Sequence, residues 1–146
     1  MRQQQRQDLD LRTFEINGTK HYAVQLEDFP KYWASTSGHI ISTCYSEPRV
    51  LAGRAVTGGY LQVKLANNGE DSRKDILVHR LIAFAFYEEP DDDRDGNPRN
   101  QINHIDGIPT NNKTCNLEFT SRRENMDHCY QILPHIRDHF QGVAHA

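Results

Sequence analysis

The chain has 146 residues, a formal net charge of −3 and only 36% hydrophobic residues. That is enough for one ordinary domain, or a small domain with an appended lobe, whose core is modest and whose surface is very polar. No apolar run reaches about 18 residues, which excludes a transmembrane helix, and the opening MRQQQRQDLDLR lacks the apolar stretch of a signal peptide, so the cytoplasm is the expected compartment.

Cys44, Cys115 and Cys129 are odd in number and widely spaced, with no CxxC pair. They speak against a disulfide framework and against a Cys-rich zinc site, leaving buried or idle thiols. The charge is uneven. The block EEPDDD gathers acids between Glu88 and Asp93, whereas Arg49 to Arg80 is locally basic. An acidic balance argues mildly against a nucleic-acid partner, which meets a basic footprint in most cases, and the uneven distribution softens that objection.

In chain order, residues 1–10 have almost nothing to bury and read as a loosely attached arm. Phe14 and Ile16, then Asn17-Gly18, then Tyr22, Val24 and Leu26 give a hairpin. The β-branched run His39 to Thr43 is a strand entered through a glycine turn. Tyr60 to Leu65 and Asp75 to Val78 are partner strands about the turn Asn67-Asn68-Gly69. The period then changes: Leu81, Ile82, Ala83, Ala85 and Phe86 predict a helix from about His79 to Tyr87, ended by the acids and Pro90. The acidic block is expected to turn into solvent, since carboxylates disfavour a helix C-terminus. Gln101 to Ile105 and Asn116 to Phe119 read as two strands around a loop. Ser121-x-x-Glu124 has the form of a capping box for a helix running to Tyr130. The stretch from Gln101 to Tyr130 concentrates Asn103, His104, Asn112, Asn116, Asn125 and His128, side chains able to bind a metal or move a proton. Neighbours on a strand face opposite sides, so Asn103 can face the helix while His104 faces a substrate. The fold class is α+β, a small antiparallel β lobe followed by a helix and a strand–loop–strand–helix unit.

The texts VHRLIAFAF, INHIDG, TNNKT, NLEF and RRENMDH follow one another in that order. This succession resembles the HNH endonucleases of bacteriophages and group I introns, with their ββα-metal motif. The segment Tyr32 to Ser42 is similar, more loosely, to the small β module that precedes the nuclease motif in such phage proteins. The resemblance covers roughly residues 27–130 and implies four parts: a flexible arm (1–10), a β-rich lobe (11–78), an HNH nuclease motif (79–131) and a tail (132–146).

The resemblance further implies residue roles. His104 is the general base that activates a water, and Asn116 orients it through a hydrogen bond, with closure of the hairpin turn as the alternative for Asn116. Asn103 and Asn125 are ligands of one divalent metal, most naturally Mg²⁺ with Mn²⁺ as a substitute; His128, one helical turn beyond Asn125, competes for the last position. Asn111 and Asn112 read as turn residues. Arg80, Lys113, Arg122 and Arg123 are candidate contacts to the DNA backbone. The implied activity is hydrolysis of DNA phosphodiester bonds in a phage-infected bacterial host, by a monomer or a homodimer and away from membranes. The alternative is a DNA-binding module that keeps the fold with weak or no cleavage. His135 and His139 sit four apart without a partnering ligand motif. The sixteen or so residues after Tyr130 are too few for a helix-turn-helix.

Overall fold

The computed structural model describes residues 3–66 and 73–128. Five antiparallel strands form the first sheet in the order β1 (Arg12–Ile16), β2 (Thr19–Gln25), β3 (Tyr32–Ser35), β4 (Ile40–Ser42) and β5 (Arg49–Val50). The Asn17-Gly18 turn joins β1 to β2 in the register Ile16↔Thr19, with both turn residues at positive φ (51° and 80°), the geometry of a two-residue hairpin. A second sheet pairs β6 (Arg54–Ala55), β7 (Leu61–Ala66) and β8 (Arg73–Leu77). The expected turn at residues 67–69 lies outside the described residues, as do Cys129, Tyr130, His135, His139 and the tail.

β8 runs directly into α1 (Val78–Phe86), the helix that organises the core. Its buried residues are Val78, His79, Ile82, Ala83 and Phe86, a single face at helical spacing. One cluster of buried side chains joins Val24, Tyr32, Ala34 and Ile40 of the first sheet, Val63 and Leu65 of the second, Ile82 and Phe86 of α1, and Ile102, Leu117 and Phe119 beyond it. The last three belong to the hairpin of β9 (Gln101–His104) and β10 (Leu117–Thr120). Two strands alone are marginal in water. Here Phe84 of α1 meets Phe119 edge-on at 5.2 Å, and the hairpin shares the common core. The hydroxyl of Tyr32 accepts from Ala66 N at 3.1 Å and ties the first sheet to the second.

A last helical segment, α2, covers residues 122–128. The capping box is formed in both directions: Glu124 N donates to Ser121 Oγ at 3.2 Å, and Ser121 N donates to Glu124 Oε1 at 3.0 Å.

Three expectations from sequence are corrected. Residues 3–6 are not a loose arm. Gln3 is buried; its Nε2 donates to Leu117 O at 2.8 Å and its Oε1 accepts from Phe119 N at 2.6 Å, so its amide serves the free edge of β10. Arg6 N and Glu88 N extend this docking to Phe86 O and Gln4 O. The acidic block does not simply turn outward: Asp93 is buried and accepts from Ser121 Oγ at 2.6 Å and from Asp95 N and Asn97 N at 2.9 Å each. Arg99, from the same loop, holds Glu124 through Nε at 2.9 Å and Nη2 at 3.2 Å. Finally, Cys44 and Cys115 are free but exposed rather than buried.

Candidate active site

β9 ends at the two residues on which the site turns. In the register Leu117↔His104 and Glu118↔Asn103, alternate side chains leave the hairpin on opposite faces. Ile102, Leu117 and Phe119 share the core-facing side with His104. Gln101, Asn103 and Glu118 share the other, over which α2 lies through the bond from Asn125 Nδ2 to Gln101 Oε1, 3.0 Å.

His104 is buried, and its Nε2 donates to Asn112 Oδ1 at 2.7 Å. A carbonyl acceptor at Nε2 requires the proton there, which leaves the Nδ1 lone pair as the basic atom. The expected partner, Asn116, does something else. Its Oδ1 accepts from Asp106 N at 3.0 Å, and its Nδ2 donates to Asp106 Oδ1 at 2.9 Å and to Asn111 O at 2.8 Å. Both ends of that amide are occupied in closing the loop between β9 and β10. Asn112, read from sequence as a turn residue, is the one that holds the imidazole. The signal was present in the TNN text, but spacing alone does not say which asparagine of a loop folds back onto the strand.

The loop is braced from several sides. Asp106 accepts from Asn111 Nδ2 at 2.7 Å and from Ile108 N at 2.8 Å. Burial raises its pKa, but the donors from Asn111, Ile108 and Asn116, with His104 nearby, outweigh it and hold the carboxyl below its ordinary range. Tyr87, at the exit of α1, donates its hydroxyl to Thr114 O at 2.8 Å. Thr114 N donates to Thr36 O at 3.1 Å, and Gly38 packs its backbone directly on that of Asn112 and Lys113.

On the opposite face Asn103 is buried and its Nδ2 donates to Glu118 Oε1 at a long 3.4 Å. His128 Nε2 donates to Ile105 O at 3.1 Å. Asn125 and His128 thus flank Asn103 along β9, one reaching Gln101 and the other Ile105. Among the described residues there is no group of three or more His, Cys, Asp or Glu able to hold a metal. The donors near Asn103 are amide and carboxylate oxygens, a set that fits a hard cation completed by water and phosphate better than a soft metal.

The four candidate DNA-contact cations are exposed but scattered. Lys113 follows Asn112 and stands beside the His104 loop. Arg123 pairs with Asp95 at 3.2 Å, and Arg122 and Arg123 both line a cavity with Gln101 and Met126. Arg80 lines a cavity of about 670 Å³ with Asp8, Asp10, Glu27 and Asp28, and its guanidinium lies 5.3 Å from the Phe84 ring. No helix among the described residues is long and apolar enough to cross a membrane.

Comparison with known proteins shows what this fold is similar to. The structure superimposes on the HNH homing endonuclease I-HmuI, solved in a study of its DNA binding and cleavage, with a TM-score of 0.58 and 21% identity over 75% of this chain and 57% of that one. In sequence, the chain is 30% identical over 112 residues to an uncharacterized HNH endonuclease of Acanthamoeba polyphaga mimivirus, covering 75% of this chain and 30% of the relative. It is also 30% identical over 109 residues to YosQ of Bacillus subtilis strain 168, an SPbeta prophage protein named for the HNH homing endonucleases, covering 74% of this chain and 57% of the relative. The chain therefore spans about a third of the viral relative and somewhat over half of the prophage one. No protein-family model matches it. The resemblance carried by the motifs is thus shown: the chain is similar in sequence and in fold to endonucleases of the HNH type.

Proposed function

We propose that the protein is a metal-dependent HNH endonuclease that hydrolyses DNA phosphodiester bonds. The observation that carries this reading is the His104–Asn112 bond of 2.7 Å, which locks one imidazole nitrogen and frees the other. In this mechanism Nδ1 of His104 takes a proton from a water as that water attacks phosphorus, the P–O3′ bond breaks, and the leaving 3′ oxygen takes a proton from solvent. The products are a 5′-phosphate and a 3′-hydroxyl. Asn112 fixes the tautomer and plane of the base. Asn116 acts one step further out, by holding the loop that carries Asn112.

A divalent ion, Mg²⁺ or Mn²⁺ in its place, would be held by Asn103 together with Asn125 or His128, and when bound would supply charge neutralisation at the phosphate and at the leaving oxygen. Lys113, Arg122, Arg123 and Arg80 are the backbone contacts this reading requires. The β-rich lobe, residues 11–78, acts as the platform for the nuclease motif at residues 79–131. The setting is the cytoplasm of a phage-infected bacterium, the partner is DNA, and a homodimer would allow both strands to be cut.

One observation favours a second reading, a DNA-binding module with weak or no cleavage. Both expected metal ligands are neutral amides, whose oxygens hold a cation more weakly than carboxylates do, and only their Nδ2 groups are fixed, on Glu118 and on Gln101. Supercoiled plasmid incubated with the protein and Mg²⁺ or Mn²⁺ separates the two. Nicking that needs the metal and falls by about 10²-fold or more in His104→Ala supports the enzyme. DNA retention without cleavage by the wild type supports the module instead.

A further inference from the structure

Three rings from three elements meet at the basic residue. His79, on the buried face of α1, has its ring centroid 5.1 Å from that of His104, edge-on at 64°. Tyr60, just before β7, lies 5.1 Å from His79 and 5.8 Å from His104, tilted to both. The turn that carries Tyr60 is seated against the loop after His104, since a Cβ on Gly59 would stand 3.1 Å from the Pro109 ring. His79 is buried and its Nδ1 has no hydrogen-bond partner. Burying an unsatisfied nitrogen costs free energy that a leucine or phenylalanine in the same place would not cost. Burial first, then the neighbouring His104 and Arg80, lower its pKa to about 4, so the ring is neutral at physiological pH.

A single hydrogen bond is a hinge: Asn112 holds Nε2 of His104 but leaves the imidazole free to swing about that contact. We propose that His79 and Tyr60 are positioning residues for His104, forming an aromatic wall that fixes the plane of its imidazole and presents Nδ1 to water. The inference rests on the nuclease reading for its consequence, not for its geometry. Edge-to-face rings hold one another by their quadrupoles, and a neutral wall receives the imidazolium formed during catalysis without like-charge repulsion.

The test uses ¹⁵N-imidazole NMR of His104 in the full chain, beside steady-state cleavage of a defined DNA. His79→Ala is expected to lower kcat by roughly tenfold to a hundredfold with KM little changed, and to turn the single Nε2–H pattern of His104 into an average of tautomers. His79→Phe, which keeps a ring, is expected to restore most of both. Tyr60→Ala, at a more exposed position, is expected to act in the same direction and covers the case in which His79→Ala folds poorly. An unchanged His104 spectrum and kcat in the alanine variants overturns the proposal. So does a failure of His79→Phe to rescue, which would assign the effect to the imidazole nitrogens rather than to the wall. If the wild type cleaves nothing, the nuclease reading fails while the NMR arm still decides whether the wall positions His104.

Discussion

At the scale of the residue, two asparagines four positions apart do different work. Asn112 meets His104, whereas Asn116 satisfies Asp106 N, Asp106 Oδ1 and Asn111 O within the loop. Their alanine variants should therefore separate. Removing Asn112 frees the imidazole and strands the buried His104 Nε2–H, so kcat is expected to fall by roughly tenfold to a hundredfold, with a loss of stability of about 1–3 kcal/mol. Removing Asn116 breaks three part-buried hydrogen bonds, to the exposed Asp106 and to Asn111 O, each worth about 0.5–1.5 kcal/mol, so the urea midpoint should drop while kcat, read well below that midpoint, falls less than in Asn112→Ala. Paired denaturation and cleavage measurements decide: equal losses of kcat in the two variants, each read well below its midpoint, would contradict the division. The residue types and the single histidine of the loop were legible in the text INHIDG. The pairing was not, because a side chain eight positions away and one twelve positions away reach an imidazole equally well until the loop's path is known.

At the scale of the element, α2 is short and stands on borrowed support. Its first turn is held by its own capping box, by Arg99 on Glu124, and by Asp93 on the hydroxyl of Ser121. The capping box and the strand alternation of β7 and β9 are local patterns, and they can be read from the chain. β3 could not be read in the same way, because Tyr32-Trp33-Ala34-Ser35 is buried at three of its four positions and shows no alternation. The role of Asp93 escaped for another reason: a run of carboxylates looks solvated until one of them is seen to turn back on a helix start. The Ser121 hydroxyl lowers the Asp93 pKa to about 2 from its ordinary 3.8; burial opposes this, and the amides of Asn97 and Asp95 add to it. The sign follows. A depressed carboxylate contributes stability that is complete above its unfolded value and is lost as the pH falls toward its folded one. The melting temperature of the wild type should therefore exceed that of Asp93→Asn above about pH 4, and the gap should close as the pH falls to about 2. Thermal melts of both proteins across that range check it, and a gap that is constant or widens in acid would show that the carboxylate's charge is not what holds the helix start.

At the scale of the whole molecule, the β9–β10 hairpin and the sheets before it share a core and touch through backbone. The shared core could be anticipated from the apolar period of α1, which is too wide for a two-stranded hairpin alone to cover. The backbone contact could not, since nothing in STSGH says which loop the glycine will meet. Gly38, in the turn between β3 and β4, has φ +89°, and a Cβ there would fall 2.4 Å from the carbonyl carbon of Asn112 and 2.7 Å from Lys113 N. Neither atom belongs to a flexible side chain, so the loop itself would have to move. Gly96 is the control: its φ is +82°, and nothing lies within 4 Å of its would-be Cβ. Gly96→Ala carries only the left-handed backbone cost of about 1–2 kcal/mol. Gly38→Ala carries that cost and also displaces the residue that holds His104. It should therefore lower the melting temperature further than Gly96→Ala does. Well below its melting temperature it should also lower kcat, as Asn112→Ala does, while Gly96→Ala leaves kcat near that of the wild type. Equal effects of the two substitutions would mean that the turn of the first sheet does not set the position of Asn112, and that the β sheets shape the site through the core alone.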